Sequence, residues 1–513
     1  MVMQLYLDKT MISIPFLMVL SSACSSDKEL NRPNIVILYA DDLGYGDLNF
    51  QNPGSKIPTP NLDNLASEGM SFTDAHSSSG ICSPSRFAML TGTYHWRRQH
   101  GIVNSFEKPF FNDSDITLPQ VLKENGYTTA CIGKWHLGWN WEFKNEPTGE
   151  VMQWGRLQKF YNPEDIDWSE PITGGPLDHG FDYYFGDGTI NFPPYGWVEN
   201  DRLIEIPTEV MDINDIGFNT KEGEWEFRPG PKVKDWNPYH VLPKLTEKAL
   251  EWINNRDKNQ PFFLYFAFPS PHAPIIPNDE FDGTSEAGAY GDFVFQTDWV
   301  AGQILNAIKE KGLEENTIVI FSADNGPEIY AFERAKNYDH YSMGDYRGLK
   351  RDIWEGGHRV PLIIKWPGYI EKGIVSERLI SQIDFMATMA AAAGIDLPEN
   401  AAPDSYNFLP ELLGDDPGSS ERNVLIHNTF ADKWAVRRDS WLYINSQSGQ
   451  HSEMPDFFIE LRGYKDFETK GLLFSIEKDP EQRMNLYEEY PEVVNELEII
   501  LTDQKVRGYL QKD

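Results

Sequence analysis

The residues best equipped for chemistry are gathered in Gly80 to Gly92, GICSPSRFAMLTG, where a cysteine stands at the mouth of a short helix with an arginine four residues on. Ser83 suits a helix cap, Pro84 the first helical position and Gly92 a stop. Cys82 then faces free backbone N–H groups and the positive end of the helix dipole, which favour an anion, and Arg86 adds a fixed charge one turn in. The chemistry implied is a sulfur nucleophile inside an anion site. A cysteine-dependent phosphatase needs a longer wrapping loop than the three residues between Cys82 and Arg86. A buried cysteine beside an ordinary helix cap satisfies the same pattern, so the weight falls on the rest of the chain.

Four apolar runs of strand type, Asn34 to Ala40, Tyr127 to Ile132, Pro261 to Phe268 and Thr317 to Ala323, each lead into polar residues. These are Asp41 and Asp42, Lys134 and His136, His272, and Asp324 and Asn325. The carboxyl edge of an open α/β sheet is where ligands bind, so four such exits point to one site. Lys134 and His136 alternate on an extended segment and are expected on the same side, and prolines on both sides stiffen the loop of His272. Asp41, Asp42, Asp324 and Asn325 form an all-oxygen set suited to a hard cation, Ca²⁺ first and Mg²⁺ second. Taken singly, each Asp pair is equally a turn that uses its carboxylate locally.

The elements that must position these groups alternate as strand and helix. Helices are predicted over Pro60 to Gly69, Leu118 to Asn125, Leu242 to Asn255, Phe293 to Gly312 and Asp384 to Ala393. Residues from Asn140 to about Asp235 read as long loops with short elements that shape substrate selection. The Pro- and Gly-rich run 398–420 reads as a connection, and 421–513 as a smaller α+β unit closed by a helix over Glu492 to Val506.

With 79 acidic against 45 basic side chains, net −34, the chain is a poor partner for nucleic acid and repels polyanions at long range. A polyanionic substrate must therefore meet local positive charge. Residues 1–23 read as an export leader: Lys9, an apolar run Met11 to Leu20, then Ser21-Ser22-Ala23-Cys24. The run is too short to span a bilayer, and its end resembles a bacterial lipoprotein signal with Cys24 lipidated, although Ser21 stands where a large apolar residue is usual. Periplasm or cell surface is the expected location, with simple secretion as the alternative. Cys131 reads as a core residue, and no disulfide framework is expected.

The blocks YADDLGYGD, TPNLDNLASEGMSFTDAH, CSPSRFAMLTG, GYTTACIGKWHLG, PSPHAP, SADNGP, GLKRDIWEGGHRVP and FSIEKDPEQRMNL resemble, in order, those of type I formylglycine-dependent sulfatases. The resemblance implies an alkaline-phosphatase-like mixed sheet flanked by helices over 24–397. It implies Cys82 oxidised to Cα-formylglycine by a formylglycine-generating or anaerobic sulfatase-maturating enzyme. It further implies a metal held by Asp41, Asp42, Asp324, Asn325 and residue 82. Arg86 would stabilise the modified residue; Lys134, His272 and Lys350 would hold sulfate and meet the leaving group; His136 would contact the second hydroxyl of residue 82. The expected substrate is a sulfated polysaccharide such as ulvan, a carrageenan- or agar-type galactan, or a glycosaminoglycan, met by His95, Arg97, Arg98, Trp139 and Glu328 and by further aromatic faces at Trp96, Trp141, Tyr195 and Trp197. A phosphoester hydrolase of the same superfamily and a non-catalytic carbohydrate-binding lipoprotein are the alternatives.

Overall fold

A computed structural model describes residues 32–507 except 416, 417, 419 and 420; the leader and Cys24 lie outside the described residues. The first strand, β1 (Asn34–Ala40), is buried along its whole length. Ile35, Ile37 and Tyr39 enter one core and Val36, Leu38 and Ala40 the other. That two-sided burial is why the run is continuously apolar, and each large side chain so buried contributes about 1.5–3 kcal/mol.

Nine further strands complete its sheet: β2 (Met70–Phe72), β3 (Thr128–Lys134), β4 (Tyr183–Gly188), β5 (Val198–Glu199), β6 (Arg202–Leu203), β7 (Phe262–Ala267), β8 (Thr317–Ala323), β9 (Leu362–Lys365) and β10 (Ile374–Ser376). Their order is β10-β2-β9-β8-β1-β7-β3-β4-β5-β6. The centre, β8-β1-β7-β3-β4, is parallel, while β9 and β5 run antiparallel to their neighbours. Helices α1 (Pro60–Ser67), α4 (Val241–Asn254) and α5 (Gly288–Glu310) cover one face, and α2 (Cys82–Thr91), α3 (Leu118–Glu124) and α6 (Phe385–Ala392) the other. This is the large mixed sheet flanked by helices that the sequence implies.

Residues 398–415 do not hang free between units. Ala401, Ala402, Phe408, Leu409 and Leu412 are buried in the α2-side core. Beyond them β11 (Val424–Asn428), β12 (Trp434–Arg438), β13 (Trp441–Ile444) and β14 (Leu472–Ser475) form an antiparallel meander, followed by α7 (Pro491–Arg507). The meander shares cores with the larger unit through Ala88, Tyr94, Ile353, Trp354 and Ile383. Within the long insertion, Gly149–Gln153 and Arg156–Phe160 pair as a hairpin.

Candidate active site

The carboxyl ends of β1, β8, β3 and β7 meet above the sheet. Asp41 N–H donates to Ser270 O at 3.0 Å and Asp324 N–H to Ala40 O at 3.1 Å, so the exits are laced together by backbone. Asp42 follows with φ +59. Gly133, at φ +111, sits where a Cβ would come within 1.9 Å of Ala267 O; only glycine permits the irregularity that re-aims Lys134.

All ten residues of α2 are buried. Cys82 is its first residue and Ile81 its cap, whereas the Ser83 hydroxyl, read above as the cap, accepts from Val103 N–H at 3.0 Å. The Cys82 thiol lies 3.6 Å from Asp41 Oδ1. Arg86 donates from Nη2 and Nε to Asp324 Oδ2 at 2.7 and 3.0 Å and passes 3.6 Å from Asp41 Oδ1. Lys134 Nζ reaches Asp41 Oδ2 at 2.5 Å, and Lys350 Nζ reaches Asp42 Oδ2 at 2.7 Å. His272 Nε2 stands 3.6 Å from the same oxygen, and its Nδ1–H faces the Ala273 carbonyl.

Burial and the Asp324 charge push the Cys82 thiol well up, so it stays protonated and is a poor nucleophile as it stands. Burial opposes ionisation of Asp42, but the Lys350 ammonium, the largest of the charges around it, holds its carboxyl low. Burial and Lys350 hold His272 down to about 4, so the ring expected as a proton donor is neutral in this site at pH 7. Burial and Lys134 hold His136 well below its ordinary value.

Asn325 donates from Nδ2 to Asp42 Oδ1 at 2.7 Å, yet its buried Oδ1 has no hydrogen-bond partner. With Asp41, Asp42 and Asp324 around it, that orphaned oxygen fits a hard cation in an oxygen cage. Asp41, Asp42, Cys82 and His272 each bring a ligand atom within 4.8 Å of the others.

His136 stands just past the end of β3. It follows the strand at φ +51, and its Nε2–H donates to Val103 O at 3.0 Å, leaving Nδ1 as an unpartnered lone pair. It borders a cleft lined by Phe106, Trp139, Trp141, Asp187 and Phe192. Of the residues assigned to substrate, Trp139 and Trp141 line this cleft and the others do not. Arg97 forks onto Asp404 at 2.6 and 2.7 Å, and Arg98 pairs with Asp115. His95 is buried against Ser78, and Glu328 forks onto Arg351 at 2.6 and 2.8 Å, 3.4 Å from Lys350. Trp96 packs between Tyr94 and Trp434, Tyr195 is buried and Trp197 stacks on Phe185.

Three groups beside the site escape a sequence reading. Asp187 is buried in the cleft wall with both carboxylate oxygens unpartnered. Arg228 lies over Phe192 at 3.8 Å and bonds Asn104 Oδ1 at 2.6 Å. Arg351 takes a left-handed φ of +79 and ties its N–H to Gly80 O at 2.7 Å, joining Glu328 to the cysteine loop. Only Arg351, next to Lys350, carried a signal; the other two sit in aperiodic insertion.

A buried nucleophile position ringed by fixed cations at a sheet edge, with an oxygen-donor cage beside it, defines a hydrolase of anionic esters. The sulfatase family profile matches residues 33–395, and the profile of the N-sulphoglucosamine sulphohydrolase C-terminal region matches 346–507. The chain belongs to the sulfatase family and is a sulfuric ester hydrolase. It is similar to the N-acetylgalactosamine-6-O-sulfatase of Bacteroides thetaiotaomicron, 32% identical over 93% of this chain and 94% of that protein. The human N-acetylgalactosamine-6-sulfatase is 32% identical over 74% of this chain, which spans 66% of the human protein. A structure described with glycosaminoglycan metabolism in Bacteroides thetaiotaomicron matches at TM-score 0.74 and 32% identity, over 92% of this chain and 99% of that one. A complex with a neocarrahexaose shares the fold at TM-score 0.67 and 22% identity, over 94% of both chains.

Proposed function

We propose that the chain is an exported, formylglycine-dependent sulfatase that removes 6-sulfate from N-acetylgalactosamine or galactose units of a sulfated polysaccharide. The observation that carries the reading is Cys82: a thiol held protonated, 3.6 Å from Asp41, among Arg86, Lys134 and Lys350. Such a cysteine serves better as a precursor than as a nucleophile. The relatives named for N-acetylgalactosamine 6-sulfate supply the sugar and the position.

Formylglycine would supply, as its hydrate, an oxygen nucleophile with a second hydroxyl. A divalent ion, Ca²⁺ or Mg²⁺, held by Asp41, Asp42, Asp324 and Asn325 would supply fixed positive charge beside it. Lys134 and Lys350 stay protonated, because Asp41 and Asp42 outweigh their burial, and they hold and orient the sulfuryl oxygens. His272 donates a proton from Nε2 to the departing sugar oxygen once the anionic ester draws a proton onto it. His136, neutral, with its lone pair on Nδ1, would accept the proton of that second hydroxyl. Glu328 and Arg351 position Lys350, and Trp139 and Trp141 offer flat faces to sugar rings. Residues 1–23 direct export, and Cys24 carries the lipid anchor.

Coexpression with a formylglycine-generating enzyme, followed by sulfate-release assays on chondroitin 6-sulfate and 4-sulfate oligosaccharides, ulvan and carrageenan, tests the reading. Release from the 6-sulfated sugar, abolished by Cys82→Ala, is expected. Full conversion with turnover of phosphate esters and of no sulfate ester would contradict it. Membrane fractionation of Cys24→Ser against the natural chain tests the anchor, which predicts a shift to the soluble fraction.

A further inference from the structure

We propose that His76, His358 and His427 form a second metal centre, separate from the oxygen cage at Cys82, that takes a nitrogen-preferring divalent ion such as zinc and ties the C-terminal meander to the catalytic unit. The three rings come from distant segments. His76 ends the short strand Ala75–His76, His358 closes the helical turn Glu355–His358, and His427 lies on β11. All three are at most 1% exposed, and one ring nitrogen from each lies within 4.8 Å of the other two.

The hydrogen bonds fix the tautomers. His76 Nε2 faces Asp74 Oδ1 at 2.7 Å and His358 Nε2 faces Ile353 O at 3.2 Å. Both acceptors require N–H, so in the neutral rings both Nδ1 atoms carry lone pairs. These Nδ1 atoms face each other at 3.1 Å. Two facing lone pairs repel unless a cation lies between them. The spacing suits two imidazoles on one tetrahedral ion, whose nitrogens sit roughly 3.3 Å apart. A carboxylate and a backbone carbonyl behind ring nitrogens are also the partners that orient metal-bound histidines.

A shared proton would satisfy His76 and His358 but would leave His427 unexplained. His427 is buried with neither ring nitrogen bonded, and stacks on His358 with centroids 3.7 Å apart. Burial holds its ring neutral, as it does that of His358. Glu355 groups with His76 and Asp74 beside the three rings. Its Oε1 is buried without a partner, while Oε2 accepts from Arg359 Nε at 2.9 Å, and a Glu355 oxygen lies within 4.8 Å of ligand atoms of His76 and Asp74. Asp74 and Glu355 offset the charges of Arg359 and Arg437 that border the cluster, so no net positive charge opposes an incoming cation.

The test uses the full chain, stripped of metal and titrated with Co²⁺ and Zn²⁺, with the cobalt ligand-field spectrum and zinc-edge X-ray absorption as readouts. Expected are one tightly held ion per chain, tetrahedral cobalt bands and several imidazole ligands in the zinc spectrum. The volume-filling His427→Phe and the milder His358→Gln should each lose that signal, whereas Asn325→Ala, at the oxygen cage, should keep it. A natural chain with no imidazole-bound ion, the result for a proton bridge, would overturn the proposal. So would a cobalt spectrum unchanged in both histidine variants. If neither variant folds, the spectra of the natural chain decide alone.

Discussion

His136 carries the sharpest residue-scale consequence. One nitrogen is spent on Val103 O and the other is an unpartnered lone pair, the arrangement a general base requires. His136→Ala should lower kcat by roughly 10²–10⁴-fold, the usual range for a lost acid–base group, with a smaller change in KM, measured by steady-state sulfate release. A change confined to KM would assign His136 to binding alone. Residue types and order were enough to single out Asp41, Asp42, Cys82, Arg86, Lys134, His272, Asp324, Asn325 and Lys350 as candidates, because each follows a recognisable apolar strand or a dense block. In the fold Arg97, Arg98 and Glu328 are paired with Asp404, Asp115 and Arg351, partners the sequence does not reveal, since a charged side chain looks the same whether it awaits a ligand or already holds an opposite charge.

At the scale of elements, α1 shows how tertiary contacts finish what local sequence leaves open. Its N-cap Thr59 makes no capping bond, and the first-turn N–H groups of Asn61 and Leu62 donate instead to Asp298 of α5 at 3.2 and 2.8 Å. Asp298→Ala strands those donors and should cost about 1–3 kcal/mol in urea unfolding. Burial pushes the Asp298 carboxyl up to about 6 from 3.8. The folded state therefore holds its proton more tightly than the unfolded state, so this group's contribution to stability falls as pH rises through that window and is flat above it. Asp298→Asn should flatten that slope; an unchanged slope would exclude Asp298 as its source. Strand placement was legible from apolar runs, exactly so for Thr317–Ala323. The left-handed φ of His136 was not, because it depends on backbone conformation past the strand end.

Across the whole molecule, the C-terminal meander is locked to the catalytic unit by a buried fork from Arg422 onto Asp384, with Nε at 2.8 Å. Arg422→Ala leaves Asp384 buried and uncompensated and should cost about 3–5 kcal/mol, read as a lowered urea midpoint in one cooperative transition. The run 398–420 was read as a connection because its Pro and Gly content hides the few apolar residues that anchor it. Net charge acts at the same scale. At −34 the surface repels a polysulfated chain until salt screens it, over about 10 Å at 0.1 M. The rate at low polymer concentration should rise with added NaCl, while that on a monosulfated monosaccharide changes far less; equal responses would mean that local cations dominate.

The most direct measurement sets sulfate-release rate against the fraction of Cys82 converted, from peptide masses lower by roughly 18 Da, across preparations made with graded amounts of maturating enzyme. The account predicts a straight line through the origin, with no release from Cys82→Ala. Release that persists at zero conversion, or none at full conversion on any sulfate ester, would contradict it.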